Sequence, residues 1–183
     1  MERHRLAYLV ATTKVDLDYS AVVHVAPEPQ MEAFLRSRAK EYLSIDLYAT
    51  NVMAKMDVTA LDLADESKSL IWISHVLEHV LRDDLAISEM YRVLKPSGVA
   101  LVQVPIWRLR TFEDDSVTTE EDRLRTFYQK DHVRLYGMDI IERFEAAGFQ
   151  ASIVRAQDFG SDLLIEHRLS FASTDEVFVF RKP

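Results

Sequence analysis

"LIWISHVLEHVLRDDLAISEMYRVLKPSGVALVQVPI", residues 70–106, carries a strand, a helix and a second strand in one line. Its two ends, residues 70–76 and 98–106, are almost continuously apolar, as strands covered on both faces are. Between them, residues 81–94 put Ile87, Met90 and Leu94 on one side of a helix, flanked by Ala86 and Val93. Arg82, Asp83, Asp84, Glu89 and Arg92 are predicted to face away from that side. Pro96 cannot continue the helix and Gly98 supplies the turn into the next strand. Two doubly covered strands joined by an amphipathic helix make a parallel crossover.

The same alternation extends in both directions. Upstream are strand-like runs at residues 21–26 ("AVVHVA"), 42–47 ("YLSIDL") and, more weakly, 54–58 ("AKMDV"). Downstream, "DIIERFEAAGF" is a helix ending at Gly148, followed by strands at 149–156 and 176–182. The pattern predicts an α/β fold, a doubly wound, mostly parallel sheet with helices on both faces. One domain spans residues 1–183. It opens with a helical segment in residues 1–20, where Leu6, Leu9 and Val10 form a stripe. Only residues 48–53 separate the second and third strands, so either a single helical turn or a short third strand is expected there. Residues 107–136 lack a core-strand pattern and are rich in Glu, Asp and Arg. They read as a lid or substrate-loop insertion, or as a surface excursion with one amphipathic helix.

Composition narrows the partners. Of 183 residues, 48% are hydrophobic and 28% charged, which suits a packed globular chain. The net charge of −8 gives no long-range attraction for a phosphate backbone, so no nucleic-acid partner is expected. With no cysteine there are no disulfides and no thiolate metal sites, which fits a cytoplasmic location. No apolar run approaches the roughly 20 residues of a membrane span, so no membrane partner is expected. The partners left are a small-molecule substrate and, as an open option, a second copy of the chain.

"YLSIDL", "KMDVTAL", "ISHVLEHV" and "RVLKPSGVALVQVPI" together resemble successive motifs of class I S-adenosylmethionine-dependent methyltransferases, in particular the type-11-like group. The resemblance covers roughly residues 21–106, with a weaker echo in "DHVRLYGMDIIERFEAAGF". It implies a Rossmann-like methyltransferase fold and S-adenosylmethionine as cofactor. The opening "ERHRL" also resembles a subgroup with cysteine pairs just upstream and "HIAPE" at the first loop; this chain begins after the place those cysteines would take.

In an open parallel sheet, ligands bind beyond the carboxyl ends of the strands, where strand order reverses. The strand ends here offer Ala26 to Glu28, Asp46, Asp57, Ser74 and His75. The resemblance implies that Asp46 accepts hydrogen bonds from the ribose hydroxyls. It implies likewise that Asp57 accepts from the adenine amino group, with Val58 giving its backbone and an apolar wall. Without the resemblance, the two acids read equally as turn formers at strand ends.

The first turn, "HVAPEP", has no glycine. By the resemblance, His24 stands where the family has an acid, and Ala26 and Glu28 where it has glycines. Pro27 and Pro29 have no N–H, and Glu28 would repel phosphate, so a pyrophosphate cofactor such as NAD or FAD is not expected. The sulfonium and ammonium of S-adenosylmethionine suit a carboxylate instead. Glu28 is expected either to cap the following helix or to face the cofactor. His24, inside an apolar strand, reads as a buried, hydrogen-bonded histidine.

After the fourth strand, "HVLEH" spaces His75, Glu78 and His79 so that one helical turn could direct all three to one side. These are the candidate catalytic residues. His79 is the candidate general base and His75 also a candidate backbone contact to the methionine end. A divalent metal on the trio is the weaker reading, because a histidine replaces the first acid of the pattern some methyltransferases use. No metal is expected. His132, Arg134 and Tyr136 read as a solvated connection, with a reach toward substrate as the alternative. The expected activity is S-adenosylmethionine-dependent methyl transfer to a small-molecule or glycan-like acceptor. The alternative is a catalytically inactive methyltransferase-fold module that binds or assembles.

Overall fold

The computed structural model describes residues 2–171 and 175–183. Its central sheet takes the order β3-β2-β1-β4-β5-β10-β9. The strands are β1 (Ala21–Val25), β2 (Glu41–Asp46), β3 (Ala54–Lys55), β4 (Lys68–Ser74), β5 (Leu94–Gln103), β9 (Gln150–Arg155) and β10 (Glu176–Arg181). β10 runs antiparallel to both neighbours, and the pairs from β3 to β5 are all parallel. Strand order therefore reverses between β1 and β4, where the doubly wound plan puts its ligand crevice.

Two hydrophobic layers pack on the sheet. On one face, α3 (Asp83–Val93) and α5 (Ile140–Ala146) bury Ile87, Met90, Val93, Ile140 and Phe144 against β1, β4, β5 and β10. On the other, α1 (Glu2–Thr13), α2 (Pro29–Arg38) and α6 (Ser161–Glu166) bury Leu6, Leu9, Val10, Met31, Leu35 and Leu164. All five residues of β1 are buried, as a strand covered on both faces requires.

Several boundaries differ from the sequence reading for local reasons. α1 ends at Thr13, and an extended stretch leads on to β1. β3 is the short third strand, two residues long, and the rest of "AKMDV" turns at Asp57, which bridges Ala60. α3 stops at Val93 because Pro96 forces Lys95 to be extended, so Leu94 already pairs with Lys68 in the sheet. Gly148 follows α5 at φ +104°, a left-handed conformation that closes the helix.

The segment after β5 is more structured than the sequence suggests. β6 (Ile106–Arg108), β7 (Phe112–Glu113) and β8 (Arg134–Gly137) form a second, three-stranded sheet in the order β6-β8-β7, with α4 (Glu120–Phe127) between β7 and β8. Period-two burial is absent from these strands: all four residues of β8 are buried. The backbone of Arg110 passes Gly137 so closely that a Cβ there would lie 2.3 Å from its carbonyl carbon. Gly137 is what lets the two chains approach.

Candidate active site

The tips of β1 and β4 face each other across the switch point, and each ends on a left-handed residue. Ala26 has φ +49° and His75 φ +54°, conformations that cost a non-glycine residue about 1–2 kcal/mol. Ala26 thus keeps the conformation a glycine would adopt freely, and its N–H donates to Ile45 O at 2.8 Å. Strain of this kind persists where the surroundings over-determine it, and it clusters at ligand sites.

Glu28 does not cap α2, although it occupies the N-cap position. Its side chain turns back to the strand tips instead, with Oε2 3.0 Å from His24 Nε2. His24 is fully buried, and its Nδ1 lies 2.9 Å from the Tyr42 hydroxyl. A proton on Nε2 lets His24 donate to the carboxylate while Tyr42 donates to Nδ1. Glu28 Oε1 is buried and has no hydrogen-bond partner among the described residues; His4 Nε2, on α1, lies 3.5 Å away. Both ring nitrogens of His4 are likewise buried without a hydrogen-bond partner among the described residues. Burial pushes the Glu28 carboxyl up, but the neighbouring His24 ring and Ser74 hydroxyl outweigh it, so its pKa lies below the usual glutamate range. Burial, opposed by the Glu28 charge, holds the His4 pKa below the usual histidine value. An ionised carboxylate therefore sits at the strand tips beside a neutral imidazole.

Asp46 and Asp57 come together. Asp46 pairs with Lys55 across β2 and β3, and its carbonyl accepts from Met56 N at 3.2 Å, one residue before Asp57. Each acid is also a turn former. Asp46 Oδ1 accepts from the N–H groups of Tyr48 and Ala49, both at 2.7 Å. Asp57 Oδ1 accepts from Thr59 N at 2.8 Å and Thr59 Oγ1 at 2.7 Å. Among the described residues every such bond falls on Oδ1 and none on Oδ2. Val58 is buried and packs its side chain into the core.

Beyond β4 the trio of the sequence reading divides. His75 Nδ1 lies 3.1 Å from Glu78 Oε1, so these two do meet. A single 3-10 turn, Leu77–His79, then carries the His79 ring on to His132, with one donor atom of His79 still within 4.8 Å of one of Glu78. The His79 ring packs edge-on against His132, with centroids 4.7 Å apart, and its Nδ1 is 3.3 Å from both the carbonyl and the carboxylate of Asp131.

His132, Arg134 and Tyr136 are not a solvated connection: all three are buried, Arg134 and Tyr136 on β8, the interior strand of the second sheet, and His132 just ahead of it. Arg134 donates to Leu77 O at 2.8 Å, Leu81 O at 3.0 Å, Val80 O, and Glu113 Oε1 at 2.5 Å. Val133 N adds a bond to Glu78 O at 2.9 Å. The arginine fork thereby satisfies the carbonyls of the turn that carries Glu78 and His79. Asp83, predicted to face solvent, is buried instead, accepting from the Tyr136 hydroxyl at 2.6 Å and from Arg143 at 2.8 Å. The two arginines, Arg134 and Arg143, balance the two acids, Asp83 and Glu113. Burial and the adjacent Asp83 charge raise the Tyr136 pKa well above the usual value. The sequence hid this cluster because "HVRLYG" has no amphipathic period and sits in a charged neighbourhood. His4 was hidden in the same way, inside a helix read only for its apolar stripe.

Residues 8–102 match the family model described as a methyltransferase domain. The chain belongs to that family. This methyltransferase domain uses the cofactor expected from its sequence, S-adenosylmethionine. Solved structures share its fold at low identity. An S-adenosylmethionine-dependent methyltransferase from Mesorhizobium loti aligns with TM-score 0.70 and 10% identity over 97% of this chain and 98% of that one. The complex between the Haloferax volcanii Trm112 methyltransferase activator and the putative methyltransferase aligns with TM-score 0.65 and 15% identity, over 100% and 90% of the two chains. Haemonchus contortus phosphoethanolamine N-methyltransferase 2 in complex with S-adenosyl-L-methionine gives TM-score 0.65 and 15% identity, over 98% of this chain and 52% of that one. No curated protein matches the sequence. Among the described residues, no helix is long and apolar enough to cross a membrane.

The residues present fit the cofactor. The orphaned Glu28 Oε1 is a buried acceptor in need of a cationic donor, and the spare Oδ2 atoms of Asp46 and Asp57 suit the hydroxyls and amino group of a nucleoside.

Proposed function

We propose that this methyltransferase passes a methyl group from S-adenosylmethionine to a small molecule bound on the His75–His79 side of the crevice. The observation that carries the proposal is the inward carboxylate of Glu28, ionised and short of one donor at the strand-order reversal. On this reading Asp46 and Asp57 hold the nucleoside through Oδ2. Ala26 gives its backbone, while Glu28 and the backbone of His75 surround the methionine end. When bound, the cofactor supplies an electrophilic methyl group beside a positive sulfur. The protein's contribution is then mainly proximity and alignment, which turns of fixed geometry can provide. His79 shares the proton on Nδ1 with Asp131, so Nε2 is free to accept a proton from the acceptor. Its partial exposure, 32% of the side chain, gives an acceptor access to it.

One feature favours the alternative of a module that binds but does not catalyse. Glu28 occupies a corner that glycines would leave open, and His4 stands directly beside it. Calorimetric titration with S-adenosylhomocysteine separates the two. Binding weakened by Asp46→Ala supports methyl transfer; a folded protein that gives no heat leaves the non-catalytic module.

A further inference from the structure

Beside the crevice, three ligand-type side chains converge with nothing in the fold to account for them. Glu78, His79 and His132 each bring one donor atom to within 4.8 Å of the other two. Glu78 is 1% exposed, and while its Oε1 meets His75, its Oε2 is buried without a partner among the described residues. His132 is 4% exposed, and its Nδ1 is equally buried and unpartnered. A buried carboxylate oxygen and a buried imidazole nitrogen left without partners are each costly, because buried polar groups are normally hydrogen-bonded or bound to metals. His79 adds the third donor. Its Nδ1 faces Asp131, the carboxylate–imidazole pairing that fixes a ligating histidine and leaves Nε2 as the donor atom. The site is also braced: Val133 N bonds to Glu78 O, and Arg134 grips the carbonyls of Leu77 and Leu81. The segment carrying His132, just ahead of β8, and the turn carrying Glu78 and His79 are thereby held at a fixed separation.

We propose that Glu78, His79 and His132 bind a divalent first-row transition ion. Two imidazoles and one carboxylate suit zinc, cobalt or manganese; an all-oxygen set would suit magnesium or calcium, and a soft ion would want thiolates. Three protein ligands leave at least one position open, as metal sites that take a substrate oxygen do. The role of the ion rests on the methyl-transfer reading: at the open position it would hold the hydroxyl of a small-molecule acceptor and lower its pKa. His79 Nε2 cannot both ligate and accept a proton, so the ion takes over from the imidazole in activating that oxygen. The site lies partly beyond the methyltransferase-domain match, which ends at residue 102, so the inference depends on the second sheet of this chain.

The test uses the full chain, free of any affinity tag and stripped with a chelator, titrated with zinc by calorimetry and with cobalt by visible absorption. The expected result is one ion per chain and the intense visible bands of a four- or five-coordinate cobalt site. Glu78→Gln and His132→Ala should each weaken zinc binding by at least about 10- to 100-fold, while His167→Ala leaves it unchanged. No zinc binding, or the same binding in Glu78→Gln and His132→Ala as in the wild type, overturns the proposal. Should His132→Ala fail to fold, a wild-type cobalt spectrum no stronger than that of the aqueous ion overturns it alone. S-adenosylhomocysteine titrated into the stripped wild type keeps the two readings apart. If it binds while zinc does not, the metal site is wrong and the methyl-transfer reading stands.

Discussion

Arg134→Lys tests whether the buried arginine fork holds the Leu77–His79 turn in place. Only 4% of the Arg134 side chain is exposed, and it donates to the carbonyls of Leu77, Val80 and Leu81 as well as to Glu113. Lysine keeps the charge but concentrates its donors at one point, so it cannot span carbonyls at both edges of the fork. About two of the three carbonyls would lose their partner, at about 1–3 kcal/mol for each group left unsatisfied. Water can reach part of the opened turn, so the loss expected is about 2–4 kcal/mol. For a chain of this size that lowers the Tm by about 4–16 °C. Arg134→Met, which also leaves Asp83 and Glu113 to Arg143 alone, should cost about 3–5 kcal/mol. Urea unfolding gives the free energies. Hydrogen exchange at the Val133 amide shows whether the turn has come loose, since that N–H is bonded to Glu78 O. Arg134→Lys within about 0.5 kcal/mol of the wild type, with Val133 still protected, would refute the clamp.

Three further outcomes follow from the same geometry. Ala26→Gly relieves the left-handed backbone at φ +49° at the cost of added freedom in the unfolded chain, for a net gain of about 0.5 kcal/mol; a measured loss would show that the turn is unstrained. Glu28→Gln removes a charged hydrogen bond to His24 and should cost about 1.5–3 kcal/mol at neutral pH. Because the folded pKa of Glu28 is depressed, its contribution is present above the unfolded value, about 4.3, and lost as pH falls through the folded one. The gap between variant and wild type should therefore close in acid, and a gap that widens there would contradict the assignment. Gly137→Ala must push the Arg110 backbone aside, so it should destabilise the second sheet by more than about 1 kcal/mol, whereas a neutral change would mean the contact is soft.

The fold class was legible because "AVVHVA" and "LIWIS" are apolar on both faces and the helices carry a clear stripe; the place where strand order reverses, between β1 and β4, was visible only in the fold. Strand ends alone nominated Asp46 and Asp57, as ligand contacts or as turn formers; that each turn bond falls on Oδ1 was visible only in the fold. Other features depend on tertiary contacts that leave no local pattern. Glu28 sits at an N-cap position, and the sequence left open whether it caps the helix or faces the cofactor; the buried His24 of β1 draws its side chain back to the strand tips. Asp83 and Arg134 look like surface charges in sequence, and only the packing of β8 against the turn after β4 shows that they neutralise one another in the interior. His132 lies 53 residues from His79, a separation across which no periodicity could have joined them.

The most direct measurement is the titration of the intact chain with S-adenosylhomocysteine, in parallel with Asp46→Ala and Asp57→Ala. One molecule bound per chain is expected, with each variant weaker by about 10- to 100-fold through the loss of hydrogen bonds to a charged acceptor. Folded wild-type protein that releases no heat, or variants that bind as tightly as the wild type, would contradict a nucleoside held between these two carboxylates.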